Sequence, residues 1–404
     1  MNAPADEANY DEAKIPEFTL PEVMRFESGE PVLTPGDWLK RRSEILDLFA
    51  VHVFGHTPES AKGHPLMASE TQVIPDFLEG KAILKEVSLS FPKHDHAPVI
   101  NLLLITPKGK SAAPVFLGFN FRGNHTVHAD PRITLSGSWM RPDKEGRVVD
   151  HRATEKSRGT SANRWPVDKI IAQGFGLAVI YYGDIDPDFD DGFENGVHSV
   201  FGKPREDEWG SIGTWSWGLS RALDYLETDD SVDGERVAVF GHSRLGKTSL
   251  WAGAQDERFA LVISNNSGCG GAALSRRAYG ETVKRINTSF PHWFNDRFPS
   301  YNDDLNALPV DQHQLIALMA PRPVYVASAV EDRWADPRGE FLSAREGSAP
   351  WALFGKVGIG VEEMPETNKP VGDHVGYHVR SGKHDVTDYD WDQYIDFAKR
   401  HFQP

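Results

Sequence analysis

Short apolar runs recur along the chain and are separated by amphipathic stretches. Six of them predict strands: residues 99–105, 115–120, 176–182, 236–240, 259–264 and 323–329. Runs that are apolar throughout, such as VFLGFN at 115–120, are typical of strands buried on both faces of a parallel sheet. Residues 82–91 alternate apolar with polar side chains, so this stretch predicts a strand at an edge of the sheet.

Apolar residues at helical spacing lie between these strands. Four stretches predict helices: residues 37–53, 166–174, 215–226 and 390–402. Within 215–226, for example, Leu219, Leu223 and Leu226 share one face, as a helix packed on a core requires. Strands that alternate with helices predict an α/β fold with a mostly parallel twisted sheet, arranged as a three-layer αβα sandwich.

The chain is predicted to form a single domain over residues 1–404, because no Gly/Ser-rich or Pro-rich linker interrupts its middle. Residues 1–35 are acidic and Pro-rich, which predicts an extended arm across the surface. Residues 123–164 are polar and rich in His, Arg and Gly, and we interpret them as an insertion near the active site. Residues 371–380 are interpreted as a Gly-rich loop.

The most informative pattern lies in residues 236–252, RVAVFGHSRLGKTSLWA. A strand is predicted before Gly241 and a helix after Gly246, so Ser243 falls in a sharp turn between them. Such a turn holds a serine beside the free N–H groups of a helix N-terminus, as in α/β-hydrolases. The spacing G-x-S-x-x-G differs by one position from their G-x-S-x-G elbow. We therefore predict an α/β-hydrolase fold with Ser243 as the nucleophile.

Composition excludes several classes of partner. A net charge of −16 argues against a nucleic acid and against an anionic membrane surface. Cys269 is the one cysteine, so no intrachain disulfide forms, which fits the cytosol and the periplasm alike.

No apolar run reaches the length of about 18 residues that a membrane span needs, and residues 1–4 lack the features of a signal peptide. The acidic loop at 183–188 lacks EF-hand spacing, so we expect no metal and no cofactor.

A serine hydroxyl needs a general base, and His384 is the predicted one. It lies just before the C-terminal helix, where α/β-hydrolases place their histidine. Among the other histidines, His242 would point away from the hydroxyl of its sequence neighbour. His374 and His378 lie earlier, in the stretch that is interpreted as a loop.

Residues 241–247, GHSRLGK, resemble the G-[CH]-S-R-x-G-K signature of the glucuronoyl esterases, carbohydrate esterase family 15. Residues 383–391, KHDVTDYDW, also look like the histidine loop of this family. The resemblance implies that Arg244 helps to stabilise the oxyanion and that Lys247 contacts hydroxyls of a uronate sugar. Two basic residues in a first helical turn are disfavoured by the helix dipole, which independently indicates a function for them.

The same resemblance extends to the sugar site. It implies that Trp334 forms an aromatic wall for the sugar and that Glu281 contacts it. For Glu281 the alternative is an exposed glutamate on a helix surface.

The acid of the triad has two candidate positions. In many glucuronoyl esterases a glutamate follows the strand after the nucleophile helix, but the matching residue here is Asn266, which cannot carry the charge. The second position is the loop after the strand predicted at 323–329, where the chain has Glu331, Asp332 and Asp336. This loop resembles that of bacterial members. We predict Asp332 as the acid, with Glu331 as the alternative.

The resemblance implies a serine esterase that hydrolyses the ester between 4-O-methyl-glucuronic acid of glucuronoxylan and lignin alcohols. Two alternatives stay open: an acetyl-xylan or other small-acyl carbohydrate esterase, and a non-catalytic glycan-binding protein on a hydrolase fold. The expected partners are glucuronoxylan and lignin–carbohydrate esters, and the expected state is a monomer. We expect a secreted or periplasmic location in a bacterium, with a cytoplasmic location still open.

Overall fold

The computed structural model describes residues 8–94, 96–110 and 112–402. Its strands are β1 (Met67–Asp76), β2 (Ala82–Ser90), β3 (Ile100–Pro107), β4 (Ala113–Asn120), β5 (Val148–Val149), β6 (Arg152–Ala153), β7 (Gly176–Tyr181), β8 (Val232–His242), β9 (Leu261–Asn265), β10 (Val324–Ala329) and β11 (Val375–Arg380). Its helices are α1 (Pro35–Phe49), α2 (Phe77–Gly80), α3 (Val167–Ala172), α4 (His198–Phe201), α5 (Ser211–Leu226), α6 (Arg244–Gln255), α7 (Val283–Ser289), α8 (Gln312–Ala317), α9 (Pro337–Glu346) and α10 (Asp388–His401). Each strand and helix predicted from the sequence has a counterpart among these elements.

The chain divides into two compact units. The first comprises Met1–His56, Arg205–Gly213 and Gly241–Asp385, and the second comprises Thr57–Pro204, Thr214–Phe240 and Val386–Pro404. The single domain over residues 1–404 stays a prediction.

In the second unit the strands follow the order β1-β2-β3-β7-β4-β8. The pairs β1–β2, β2–β3 and β3–β7 are antiparallel, whereas β7–β4 and β4–β8 are parallel. The prediction of β2 as an edge strand is wrong, because β1 pairs along its outer side. Most side chains of β1 are exposed, so its sequence, MASETQVIPD, carries no buried apolar face to reveal it.

The second unit also holds the predicted insertion and the acidic loop. Residues 123–164 form the short hairpin β5–β6 and several 3₁₀ turns. In the acidic loop, Asp184 accepts hydrogen bonds from Asn101 and Ser138. Burial raises the pKa of Asp184 to about 6, although these hydrogen bonds act in the opposite direction. In the described ranges, no group of three or more His, Cys, Asp and Glu side chains could hold a metal ion.

In the first unit β10 lies between β9 and β11 and is parallel to both. The interpretation of residues 371–380 as a loop is wrong, because β11 occupies most of this stretch. Every residue of β11 is buried, among them Val375 and Tyr377. The helix α6 packs on β9, where the Ser249 hydroxyl donates to the carbonyl of Ile263 at 2.8 Å.

The strand ends of the first unit bring distant parts of the sequence to one edge. The Ser243 N–H, after β8, donates to Asn265 at the end of β9 at 2.9 Å. The Asn266 N–H donates in turn to Ala327 of β10 at 2.7 Å. Loops that follow parallel strands meet at the carboxyl edge of the sheet, which is where α/β proteins place their sites.

No helix within the described part of the chain combines the length and the apolar character that crossing a bilayer requires.

Candidate active site

Ser243 lies in a strained turn between β8 and α6. Its φ of 59° and ψ of −128° place it in a conformation that non-glycine residues rarely adopt, as the nucleophile elbow requires. A Cβ at Gly241 would collide with the carbonyl of Leu245 in the first turn of α6. A Cβ at Gly246 would lie 3.0 Å from Cβ of Ser267. Both glycines are therefore needed for the close approach of strand, turn and helix.

The loop after β11 carries His384, whose imidazole bonds to Asp332. The distance between His384 Nδ1 and Asp332 Oδ2 is 2.6 Å. This contact leaves Nε2 as the ring nitrogen that a serine hydroxyl uses. The His384 ring packs 4.5 Å from the ring of His242, measured between centroids, which further limits its orientation.

Asp332 is buried and is held in its ionised form. Burial acts to raise its pKa, but the hydrogen bond and charge of His384 and the hydrogen bond from Asn266 outweigh it, so the pKa lies below its ordinary value. An ionised carboxylate against Nδ1 of a histidine stabilises the imidazolium form of the ring.

The alternative carboxylates have other surroundings. Glu331 is exposed. Asp336 is buried, forms a 2.7 Å ion pair with Arg277 and caps α9 by accepting from the Gly339 N–H. The carboxylate of Asp336 is therefore engaged by Arg277 and by the N-terminus of α9.

The alternative histidines also have other surroundings. His242 bonds to the side chain of Asn265 at 2.6 Å. His378 lies inside β11 and bonds to the hydroxyl of Tyr325 at 2.9 Å. His374 directly precedes β11.

A cavity of about 270 Å³ opens above Ser243. The cavity is lined by all the residues predicted to form the site: Ser243, Arg244, Lys247, Glu281, Asp332, Trp334 and His384. The structure thus brings together positions that lie up to 141 residues apart in the sequence (384 − 243).

Lys247 and Glu281 form a charged pair within this cavity. The side chains are 4% and 8% exposed, and Lys247 Nζ lies 3.8 Å from Glu281 Oε2. Burial raises the pKa of Glu281, and the Lys247 charge opposes this shift. The interpretation of Glu281 as a glutamate on a helix surface is wrong, because it precedes α7 and its side chain is buried.

Comparison with known proteins gives a consistent result. A family model described as glucuronyl esterase, fungi, matches residues 190–355. A promiscuous CE15 esterase from a marine bacterial metagenome, whose structure is solved, is 50% identical with a TM-score of 0.92, covering 98% of this chain and 100% of that one. The solved glucuronoyl esterase from Solibacter usitatus is 48% identical with a TM-score of 0.91, covering 97% and 100%.

The chain belongs to carbohydrate esterase family 15, the glucuronoyl esterases.

Membership of the glucuronoyl esterases confirms the predicted α/β-hydrolase fold and identifies the protein as a carboxylic ester hydrolase. A fungal member, 4-O-methyl-glucuronoyl methylesterase 1 of Phanerochaete chrysosporium, is 39% identical over 80% of this chain and 60% of its own length. The family is therefore shared by bacterial and fungal proteins.

Two aromatic residues of this glucuronoyl esterase site are not predicted from the sequence. Phe290 and Trp293 line the cavity, and their rings stack at 3.8 Å between centroids. The guanidinium of Arg244 lies 4.7 Å from the Trp293 ring centroid, within the range of a cation–π contact. The cluster FPHWF at 290–294 is the signal in the sequence, but core aromatics give the same signal.

Proposed function

We propose that this esterase hydrolyses the ester between 4-O-methyl-glucuronic acid of glucuronoxylan and lignin alcohols. The observation that carries the proposal is the Lys247–Glu281 pair, which lines the same cavity as Ser243. A buried ammonium and a buried carboxylate offer donors and acceptors to the hydroxyls of a sugar ring. A half-exposed indole, Trp334, adds an apolar face of the kind that stacks on sugars.

The proposed chemistry is acyl transfer through Ser243. His384 takes the proton of the Ser243 hydroxyl, which attacks the glucuronoyl carbonyl, and Asp332 stabilises the resulting imidazolium. Arg244 and backbone N–H groups hold the oxyanion. His384 then gives its proton to the departing alcohol, and water hydrolyses the acyl-enzyme by the same steps in reverse.

The position of Arg244 supports its assignment to the oxyanion. It is the first residue of α6, directly after the nucleophile, and the ring of Trp293 lies against its guanidinium. A cation that is already ordered stabilises developing negative charge without reorganising during the reaction.

A second candidate function is a small-acyl esterase, for example an acetyl-xylan esterase. It is favoured by the 50% identical marine relative, which is described as promiscuous. The non-catalytic alternative depends on Asn266, which cannot serve as the acid of a triad. Asp332, in the loop after β10, supplies a carboxylate in contact with His384, and this contact weakens that alternative.

The proposed substrate also indicates where the enzyme acts. Lignin–carbohydrate esters belong to polymers too large to enter a cell, so a secreted enzyme meets the polymer itself and a periplasmic one meets its fragments. We propose that the protein acts in one of these two places, as a monomer.

The test compares kcat/KM for benzyl glucuronate and for p-nitrophenyl acetate. We expect the glucuronate ester to be strongly preferred, because only its ring uses Lys247, Glu281 and Trp334. A preference for the acetate would support the small-acyl alternative instead. No turnover of either ester would support a glycan-binding protein.

A further inference from the structure

The two residues proposed to face the sugar ring, Glu281 and Trp334, are joined through their backbones. The Glu281 N–H donates to the carbonyl of Trp334 at 3.0 Å. At the preceding position, a Cβ on Gly280 would collide with that same carbonyl, so the two segments touch backbone to backbone. The φ of Gly280 is +64°, a conformation that glycine adopts without strain. A displacement of either segment therefore moves both residues.

Residues 9–12 of the N-terminal arm, which we call the clasp, contact both of these segments. The Gly280 N–H donates to the carbonyl of Asn9 at 2.8 Å. The guanidinium of Arg333 donates to the carbonyl of Tyr10 and lies 5.0 Å from the centroid of its ring. The Tyr10 ring also meets the ring of Tyr279 edge-on, at 5.9 Å between centroids.

An ionic network joins the clasp to the same wall. Arg277 Nη2 donates to Glu12 Oε1 at 2.8 Å, and Arg277 Nε donates to Asp336 Oδ2 at 2.7 Å. The Arg277 side chain is only 4% exposed, so its carboxylate partners are partly shielded from water. Asp336 in turn caps α9 through the Gly339 N–H. The arm thus supplies one carboxylate to a buried guanidinium beside the Trp334 loop.

We propose that the clasp is a positioning element that determines specificity for glucuronate esters. It fixes the wall that carries Glu281 and Trp334, because its contacts fall on residues 277–280 and on Arg333 and Arg338. Ser243 and His384 follow other strands, and Asp332, which directly precedes Arg333, is held by its own hydrogen bonds with Asn266 and His384. The clasp therefore acts on recognition of the ring and leaves the chemical step unchanged. The proposal rests on the proposed role of Glu281 and Trp334 in binding the sugar.

The test uses the double variant Tyr10→Ala/Glu12→Gln, with Glu17→Gln as the control. Glu17 is an exposed glutamate of the same arm, beyond the clasp. We expect KM for benzyl glucuronate to rise about tenfold, the equivalent of one weakened contact to the substrate. We expect kcat to change less than about twofold. Turnover of p-nitrophenyl acetate, which has no ring, stays at the wild-type value, and Glu17→Gln behaves as wild type with both esters.

Several outcomes separate the clasp from a general stabilising role. Equal losses with both esters would overturn the proposal, as would an unchanged KM for benzyl glucuronate. If the double variant does not fold, the single variant Glu12→Gln is used instead. It removes only the charge that pairs with Arg277, and it is judged by the same criteria. Trp334→Ala serves as the reference: if it raises KM and the clasp variants do not, the clasp has no such role and the proposed function stands. If Trp334→Ala leaves KM unchanged, the sugar wall itself is wrong.

Discussion

The side-chain amide of Asn266 donates to Oδ2 of Asp332 at 2.7 Å. The same oxygen contacts His384 Nδ1 at 2.6 Å, so Asp332 stands between the amide and the imidazole. Asn266 occupies the position where the family resemblance leads us to expect a glutamate. Here that position holds a hydrogen-bond donor, and the carboxylate comes from the loop after β10. The donor stabilises the ionised form of Asp332, which is the form that a triad needs.

The first prediction concerns Asp332→Asn. Loss of the carboxylate removes the group that orients His384 and stabilises its charge, so we expect kcat for benzyl glucuronate to fall by about 10⁴-fold. The matched control is Glu331→Gln, which changes the exposed neighbour and should stay close to the wild-type value. Retention of most activity by Asp332→Asn would assign the acid to another residue.

The second prediction concerns Asn266. Asn266→Ala removes one hydrogen bond to a charged group, worth about 1.5–3 kcal/mol, so we expect a loss of at most about 100-fold in kcat/KM. Asn266→Glu places a second carboxylate against Asp332, and a like charge at this distance strongly raises one of the two carboxyl pKa values. The acid limb of the pH–rate profile should therefore move to higher pH.

In the Asp332→Asn variant we expect the substitution Asn266→Glu to raise activity. There the added glutamate restores a carboxylate near His384, so Asn266→Glu should recover part of the lost activity. A profile unchanged by Asn266→Glu, together with no recovery in the double variant, would show that position 266 does not communicate with His384.

Parts of the site follow from local sequence, and other parts depend on how distant segments pair. Ser243 was predictable because the apolar strand, the two glycines and the helix are contiguous. His384 and Asp332 were predictable as members of loops, but their 2.6 Å contact depends on the pairing of β10 with β11. That pairing is not evident from the sequence, because the glycines and polar flanks of β11 favour a loop.

Other features lie beyond local pattern. Most residues of β1 are exposed, so no apolar periodicity marks it as a strand. Its pairing with β2 determines that it is one. Trp293 belongs to the site because its loop is anchored by hydrogen bonds from Ser211 and Ile212 N–H groups to the carbonyls of residues 292 and 293. The contacts of residues 9–12 with positions more than 260 residues away are likewise tertiary.

The third prediction concerns recognition by Lys247. Its Nζ donates to the carbonyl of Ser267 and faces Glu281, and we expect Lys247→Ala to lower kcat/KM for benzyl glucuronate much more than for p-nitrophenyl acetate. The reason is that only the glucuronate ring offers hydroxyls to lose. Lys284→Ala, at a lysine side chain of α7 that is 49% exposed, provides the control. Equal losses with both esters would make Lys247 a structural residue.

The fourth prediction concerns Glu340, a fully buried carboxyl on α9. It bonds to the Gly268 N–H at 2.9 Å and to the Ser328 hydroxyl at 2.6 Å. Burial raises its pKa from 4.5 to about 8. The folded protein therefore holds this proton more tightly than the unfolded chain, and the free energy of unfolding falls as pH rises from about 4.5 to about 8.

Glu340→Gln keeps a neutral side chain of the same shape. We expect it to remove this part of the decline, on the order of a few kcal/mol, in urea unfolding followed across that pH range. Glu346→Gln, at the exposed end of the same helix, should leave the decline as in the wild type. A decline that persists in Glu340→Gln would assign it to other groups.

Single-turnover hydrolysis of benzyl glucuronate tests whether Ser243 is the nucleophile of a glucuronoyl esterase reaction. The wild-type enzyme should release benzyl alcohol, and Ser243→Ala, His384→Ala and the double variant should each lose several orders of magnitude. The losses should not add, because the two side chains act as one unit. Release of benzyl alcohol by Ser243→Ala at a rate near that of the wild type would rule out Ser243 as the nucleophile, and no release by the wild type would rule out this reaction.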